Sequence, residues 1–216
     1  MLRGLKRRFS DAIASLLFGP LAPWYDAWTW TISLGRWRKW QRAALRHIRG
    51  PRVLEAGPGP GHLLAELAAQ GHQCCGLDAS ASMLRQAAKN LSRRPAMTQL
   101  LRGVGQEMPF SSGAFDTVLL CFSGLAGSPA ALAEARRVLE SGGRLVVVDE
   151  VRAPKTTLSS RFIGRALSLF DCEEGREPHD LPLRSAGFDV QTREEVVGDF
   201  LVRVMVGAPQ LREIPP

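Results

Sequence analysis

The stretch Val53 to His62, VLEAGPGPGH, decides how this chain is read. RVLEAG (52–57) is a short apolar run of the length expected for a buried strand. Three glycines follow at alternate positions, Gly57, Gly59 and Gly61. HLLAELAAQG (62–71) then carries apolar residues at helical spacing and ends on Gly71, a natural helix stop. A strand that runs through a glycine turn into a helix presents unpaired backbone N–H groups at the turn, and glycine lets a ligand come close to the backbone. Dinucleotide-binding folds place G-x-G-x-x-G at this point, so a glycine turn alone does not choose the ligand; the spacing here is G-x-G-x-G.

The same strand–helix alternation continues outward. HQCCGLD (72–78) reads as a second strand, and SASMLRQAAKNLSRR (80–94) as a second helix with Ser80 as N-cap. MTQLLRG (97–103) and FDTVLLCFS (115–123) are further strands, SPAALAEARRVLE (128–140) a helix opened by Pro129 and stopped by Gly142-Gly143 after its end, and RLVVVDE (144–150) the most hydrophobic strand of all. After a helical stretch near Arg161 to Leu169, GFDVQTREEVV and FLVRVMVG supply two closing strands that pair antiparallel at one edge. Near-continuous apolar strands alternating with helices specify an α/β fold, a mostly parallel sheet covered on both faces. Asp78, at the end of the second strand and 17 residues after Gly61, is placed where a carboxylate accepts hydrogen bonds from both hydroxyls of a ribose.

The net charge of +7 is uneven: the first 52 residues carry a balance of +9 and the remainder −2. A basic segment beside a near-neutral body calls for an anionic partner, nucleic acid or a membrane surface. Of the four cysteines, Cys74, Cys75 and Cys121 sit in apolar runs and read as reduced core residues; Cys172 is the fourth, and no metal-ligand spacing is present. No apolar run reaches the roughly 18 residues of a spanning helix. The domain reading is residues 1–49 as basic helices and lid, and 50–216 as one ligand-binding domain.

VLEAGPGPG, GLDAS, MPFSSGAFDTVLLCFS and LAEARRVLESGGRLVVVDE, in that order, resemble the consecutive motifs of class I S-adenosylmethionine-dependent methyltransferases. The branch they most resemble contains the quinone-biosynthesis methyltransferases and the bacterial phospholipid N-methyltransferases. The resemblance implies a Rossmann-like seven-stranded sheet in the order 3-2-1-4-5-7-6 with an N-terminal helical lid. It implies S-adenosyl-L-methionine as cofactor over the carboxyl ends of strands 1, 2 and 4. Gly57, Gly59 and Gly61 would face its methionine part with Glu55 in support, Asp78 would bind the ribose, and Ala79 and Met83 would pack the adenine. Where the family usually has Gly-Asp-Ala, this chain has Gly103-Val104-Gly105-Gln106, so adenine would rely on backbone groups and Gln106. Cys121 completes the implied cofactor set, and Tyr25, beside Asp26, would lie on the lid segment that covers the cofactor.

Methyl transfer from a sulfonium is an in-line displacement, so positioning and water exclusion dominate, and a base is needed only for a protonated acceptor. Tyr25, Glu150 and His179 are the catalytic candidates; Asp149, and His62 beside the glycine turn, also lie near the carboxyl ends of the strands. His47 and His72 read as surface residues.

All five tryptophans fall between Trp24 and Trp40. Leu2, Leu5, Phe9, Ile13 and Leu16 recur at helical spacing with Arg3, Lys6, Arg7 and Arg8 opposite, a basic amphipathic helix suited to a membrane interface. A further helix from Leu34 to Ile48 is expected to turn Trp37, Trp40, Ala44 and Ile48 to one face, with Trp37 and Trp40 towards a bilayer. The expected setting is therefore cytoplasmic, a monomer or weak homodimer docked on the inner membrane face, without nucleic acid. FGPLAPWYDAW (18–28) and LGRWRKW (34–40) resemble the start of the phospholipid N-methyltransferases, which makes a headgroup amine the first acceptor and a quinone ring the second. A non-catalytic cofactor-binding membrane module is the alternative of another class.

Overall fold

The computed structural model describes residues 16, 18–92, 98–152, 161–163 and 180–210. The first amphipathic segment apart from Leu16, the helix expected beyond residue 163, Cys172 and His179 lie outside them.

Seven strands form one sheet: β1 Arg52–Ala56, β2 Gln73–Asp78, β3 Thr98–Arg102, β4 Phe115–Cys121, β5 Leu139–Arg152, β6 Phe188–Val197 and β7 Phe200–Pro209. Their order is β3-β2-β1-β4-β5-β7-β6, as the resemblance implied. All neighbours pair in parallel except β5 with β7 and β7 with β6. The helices are α1 Tyr25–Ser33, α2 Trp37–Gln41, α3 His62–Ala69, α4 Ala81–Leu91, α5 Pro129–Val138 and α6 Leu181–Ser185. Successive strand residues enter opposite cores, the consequence of a two-residue side-chain period. Val53, Cys74, Leu119 and Val146 face Trp40, Leu63, Leu67 and Leu91, while Leu54, Cys75, Leu120 and Val147 face Leu132, Ala135, Leu183 and Phe188. Burial on both faces is why these strands read as unbroken apolar runs.

Two elements depart from the sequence reading. The helix expected to run to residue 140 stops at Val138, because Leu139 pairs with Phe115 and opens β5. Gly142, at φ 87°, is therefore a kink inside β5 rather than a helix stop. The single helix expected over 34–48 is two pieces, α2 followed by a 3₁₀ turn over Arg42–His47. Its buried side is Trp40, Ala43, Ala44 and His47, one helical face rotated from the expected one.

That rotation corrects the bilayer assignment of Trp37 and Trp40. Trp40 is 0% exposed with its ring centroid 5.2 Å from that of Phe200, and Trp37 stacks on Phe122 at 4.6 Å. His47 is likewise buried rather than on the surface. The exposed indoles are Trp24, Trp28 and Trp30, on and just before α1. Cys74, Cys75 and Cys121 are free and buried, as expected.

Candidate active site

β1 delivers the chain into the glycine turn, where Gly57, Gly59 and Gly61 all take positive φ. Their surroundings differ. A Cβ on Gly57 would meet Ser123 Cβ at 2.6 Å and one on Gly61 would meet Ala87 Cβ at 2.9 Å, so both are closed in by neighbouring elements. A Cβ on Gly59 would meet nothing within 4 Å. Gly59 is thus the point where the turn lies open. The turn is pinned by the Gly57 N–H on the Leu77 carbonyl (2.8 Å) and by the Asn90 side-chain amide on the Pro60 carbonyl (2.8 Å).

Asp78 joins the turn to α4. One carboxylate oxygen accepts the Gly59 N–H at 3.1 Å and the other the Ser80 N–H at 2.8 Å. Burial raises its pKa against these two bonds. Ser80 caps α4 by accepting the Met83 N–H at 3.1 Å, and its hydroxyl donates to the Phe18 carbonyl. Glu55 is 1% exposed; it accepts the Leu64 N–H, while its second oxygen has no hydrogen-bond partner. Burial first, then the charge of Asp78, pushes its carboxyl up to about 8. Cys121 lies close to Glu55 and Asp149, which together with burial hold its thiol protonated.

The remaining expected contacts lie around this centre. Met83 is buried by protein atoms alone, and Ala79 is exposed. Val104 and Gln106 are exposed just past β3, which is tied to Asp78 through the Gly103 N–H (3.1 Å), and Gly105 is buried under Leu125. Glu150 lies on β5 opposite Arg203 of β7.

α1 and α2 form a second wall. A cleft of about 310 Å³ lies between them and the turn, lined by Tyr25, Trp30, Trp37, Pro58, Pro60 and His62 among others. His62, the first residue of α3, brings Nε2 within 2.8 Å of both Asp26 carboxylate oxygens, and Arg38 Nη2 lies 2.9 Å from the same nitrogen. The His62 bond holds the Asp26 pKa down. Arg42 grips Glu66 of α3 in a two-oxygen fork at 2.8–3.0 Å. The sequence singled out Tyr25 and noted Asp26 and His62, but nothing in it joins residues 36 apart. Trp30 and Arg38 belong to the tryptophan-rich basic stretch but were not expected in the cleft, and Ser123, whose buried hydroxyl has no hydrogen-bond partner, carried no sequence signal. Among the described residues no cluster fit to hold a metal ion occurs.

A methyltransferase-domain family model matches residues 54–147. The chain is 32% identical over 165 residues to the demethylmenaquinone methyltransferase of Renibacterium salmoninarum, covering 73% of this chain and 68% of that protein. It is 31% identical over 152 residues to a ubiquinone/menaquinone biosynthesis C-methyltransferase of Geotalea uraniireducens, covering 66% of this chain and 64% of that one. The matches thus span about two thirds of these relatives' lengths. Among solved structures, phosphoethanolamine N-methyltransferase 2 of Haemonchus contortus in complex with S-adenosyl-L-methionine superposes with a TM-score of 0.62 at 16% identity, over 82% of this chain and 53% of that one. The S-adenosylmethionine-dependent methyltransferase of Aquifex aeolicus does so with 0.61 at 17%, over 77% and 88%. The chain belongs to the class I S-adenosylmethionine-dependent methyltransferase family, on the branch of the quinone-biosynthesis enzymes.

Proposed function

We propose that this protein is an S-adenosylmethionine-dependent methyltransferase that methylates a ring carbon of a hydroquinone-type acceptor. The observation that carries the ring acceptor is the 32% identity, over 73% of the chain, to a relative named for demethylmenaquinone. A headgroup amine, the first acceptor expected from the lid sequence, gives way because several curated relatives bear quinone names and the phosphoethanolamine enzyme, at 16% identity, speaks for the fold alone.

The residues present fit the cofactor. The unpaired Glu55 oxygen suits the ammonium of an amino-acid moiety, and Asp78, held by two backbone N–H groups, keeps lone pairs for a ribose diol. The space over Gly59 lets a ligand reach the backbone. When bound, S-adenosylmethionine supplies an electrophilic methyl on a sulfonium leaving group. The rings of Tyr25, Trp30 and Trp37 offer flat walls to an aromatic acceptor in the adjoining cleft. A ring carbon becomes nucleophilic when the neighbouring hydroxyl loses its proton. His62, oriented by ionised Asp26, is the group in the cleft that takes it. Methylation of that carbon would release the ring hydrogen as a proton, and His62 would return the hydroxyl proton to the oxygen, so that one proton is released per turnover. Glu150 and His179 take no part in this reading.

The acceptor arrives from a membrane surface. Trp24 and Trp30, 69% and 64% exposed, stand on the lid close in sequence to Arg36, Arg38 and Lys39, an interfacial combination of indole and positive charge. Among the described residues no helix is long and apolar enough to cross a membrane.

Labelled-methyl transfer into reduced demethylmenaquinone, compared with phosphatidylethanolamine, tests the acceptor. A ring-methylated product is expected; transfer to the lipid amine and none to the ring would sink the proposal. Replacing Trp24 and Trp30 with alanine is expected to lower co-sedimentation with anionic vesicles.

A further inference from the structure

At the amino-terminal end of the sheet, away from the glycine turn, lies a cleft of about 510 Å³. It is bounded by the start of β5 (Gly142 to Arg144), the first half of β6, the end of β7 and the 3₁₀ turn with its exit at Arg49. We infer that this cleft binds a phosphate-class anion, a mono- or diphosphate group, through the guanidinium groups of Arg49, Arg144 and Arg193.

The charges within it are unevenly spent. Glu195 is taken by Arg46 at 2.5 Å and faces His47 Nε2 at 3.4 Å, and Asp189 lies 3.9 Å from Arg184. That leaves Arg49, Arg144 and Arg193, none of which has a carboxylate within 4 Å among the described residues. Arg144 donates to the His47 carbonyl at 3.1 Å, which fixes one arm of its fork. The backbone of Arg49 is clamped on both sides by buried Thr117, whose hydroxyl accepts the Arg49 N–H at 3.0 Å and donates to the Arg49 carbonyl at 2.7 Å. Burial and the charges of Arg49 and Arg193 hold the Arg144 pKa below the ordinary arginine value, so the three cations feel one another. Like charges held together without a counter-charge cost stability, and a bound anion removes that cost. Planar guanidinium forks match the oxygens of a phosphate in pairs. The concave shape favours a compact anion over an extended polyanionic surface.

The group has two possible sources, a free phosphate compound or a lipid headgroup, and two titrations of the full chain separate them. Calorimetry at low salt uses pyrophosphate; co-sedimentation uses phosphatidylglycerol vesicles. The variant is Arg49→Gln/Arg193→Gln, two exposed positions, with S-adenosylhomocysteine affinity measured alongside to show that the fold and the cofactor site are intact. Pyrophosphate binding is expected to weaken about a hundredfold, on the order of tenfold for each arginine–phosphate pair lost. Arg49→Lys/Arg193→Lys, which keeps the charge and loses the forks, is expected to fall between and serves if the glutamine pair does not fold. Vesicle binding that depends on both arginines, without pyrophosphate binding, supports the site with a headgroup as its ligand. Pyrophosphate affinity within twofold of the parent in both variants overturns the proposal, as does an absence of binding to either probe.

Discussion

The two ends of the parallel sheet treat a buried carboxylate in opposite ways. At the amino end, Asp116 accepts from the Arg52 N–H at 2.8 Å, from Arg52 Nε at 3.1 Å and from Arg52 Nη2, and that guanidinium also reaches Glu140 at 2.6 Å. Arg52 holds the Asp116 carboxyl below its ordinary range. At the carboxyl end, Glu55 is buried more deeply with a single backbone donor and an unpartnered oxygen, and is pushed up to about 8. Complete pairing marks a group that holds the chain together. A buried carboxyl left half-paired costs stability in the empty protein, and such groups cluster at functional sites.

The largest effect expected on that contrast is at Asp78. Asp78→Ala removes the acceptor for two backbone N–H groups as well as the proposed ribose contact. S-adenosylhomocysteine affinity should fall by about a hundredfold or more in calorimetry; a change below threefold would break the assignment. Glu55→Gln comes next and is read against pH. In the folded chain Glu55 holds its proton up to about pH 8, whereas the unfolded chain releases it near 4.5. Between these values the folded state binds more protons, so stability falls as pH rises through the window and levels off above it. The variant should lose this decline, with its melting temperature above the parent's at pH 9 and close to it at pH 5.

Asp116→Ala should lower stability by about 2 kcal/mol in urea unfolding, the loss of several charge-assisted bonds, and leave cofactor affinity unchanged. A fall in affinity as large as that of Asp78→Ala would erase the distinction between the two ends. The smallest effect belongs to the N-terminal helices. Arg42→Ala breaks an exposed pair between the 3₁₀ turn and Glu66 and should cost about 0.5 kcal/mol, with a larger change in the acceptor KM than in kcat if that pair positions the cleft wall.

The strands, the glycine turn and the Ser80 cap were legible in the chain, because each rests on residues within a few positions of one another, whereas the strand order came from the resemblance of the motifs to a family. The lid was not. Trp37, Trp40, Ala44 and Ile48 form a helical stripe, but periodicity does not say whether a stripe meets a bilayer or a core. The answer depends on Phe200 and Phe122, far along the chain. His62 and Asp26 are 36 residues apart, and Arg46 and Glu195 are 149 apart; no local signal predicts such meetings. Gly142-Gly143 misled because a glycine pair after a helix and a glycine kink within a strand look alike until the Leu139–Phe115 pairing is known.

The Ser80 hydroxyl on the Phe18 carbonyl links the strand-end carboxylate to the N-terminal segment. The residue that caps α4 and donates its N–H to Asp78 also anchors the chain that leads into α1. A ligand that shifted Asp78 would act through Ser80 on that segment, and by thermodynamic reciprocity the segment would act equally on the ligand. S-adenosylhomocysteine is expected to slow amide exchange across α1, and an unchanged exchange rate would disconnect Asp78 from the segment that Ser80 anchors.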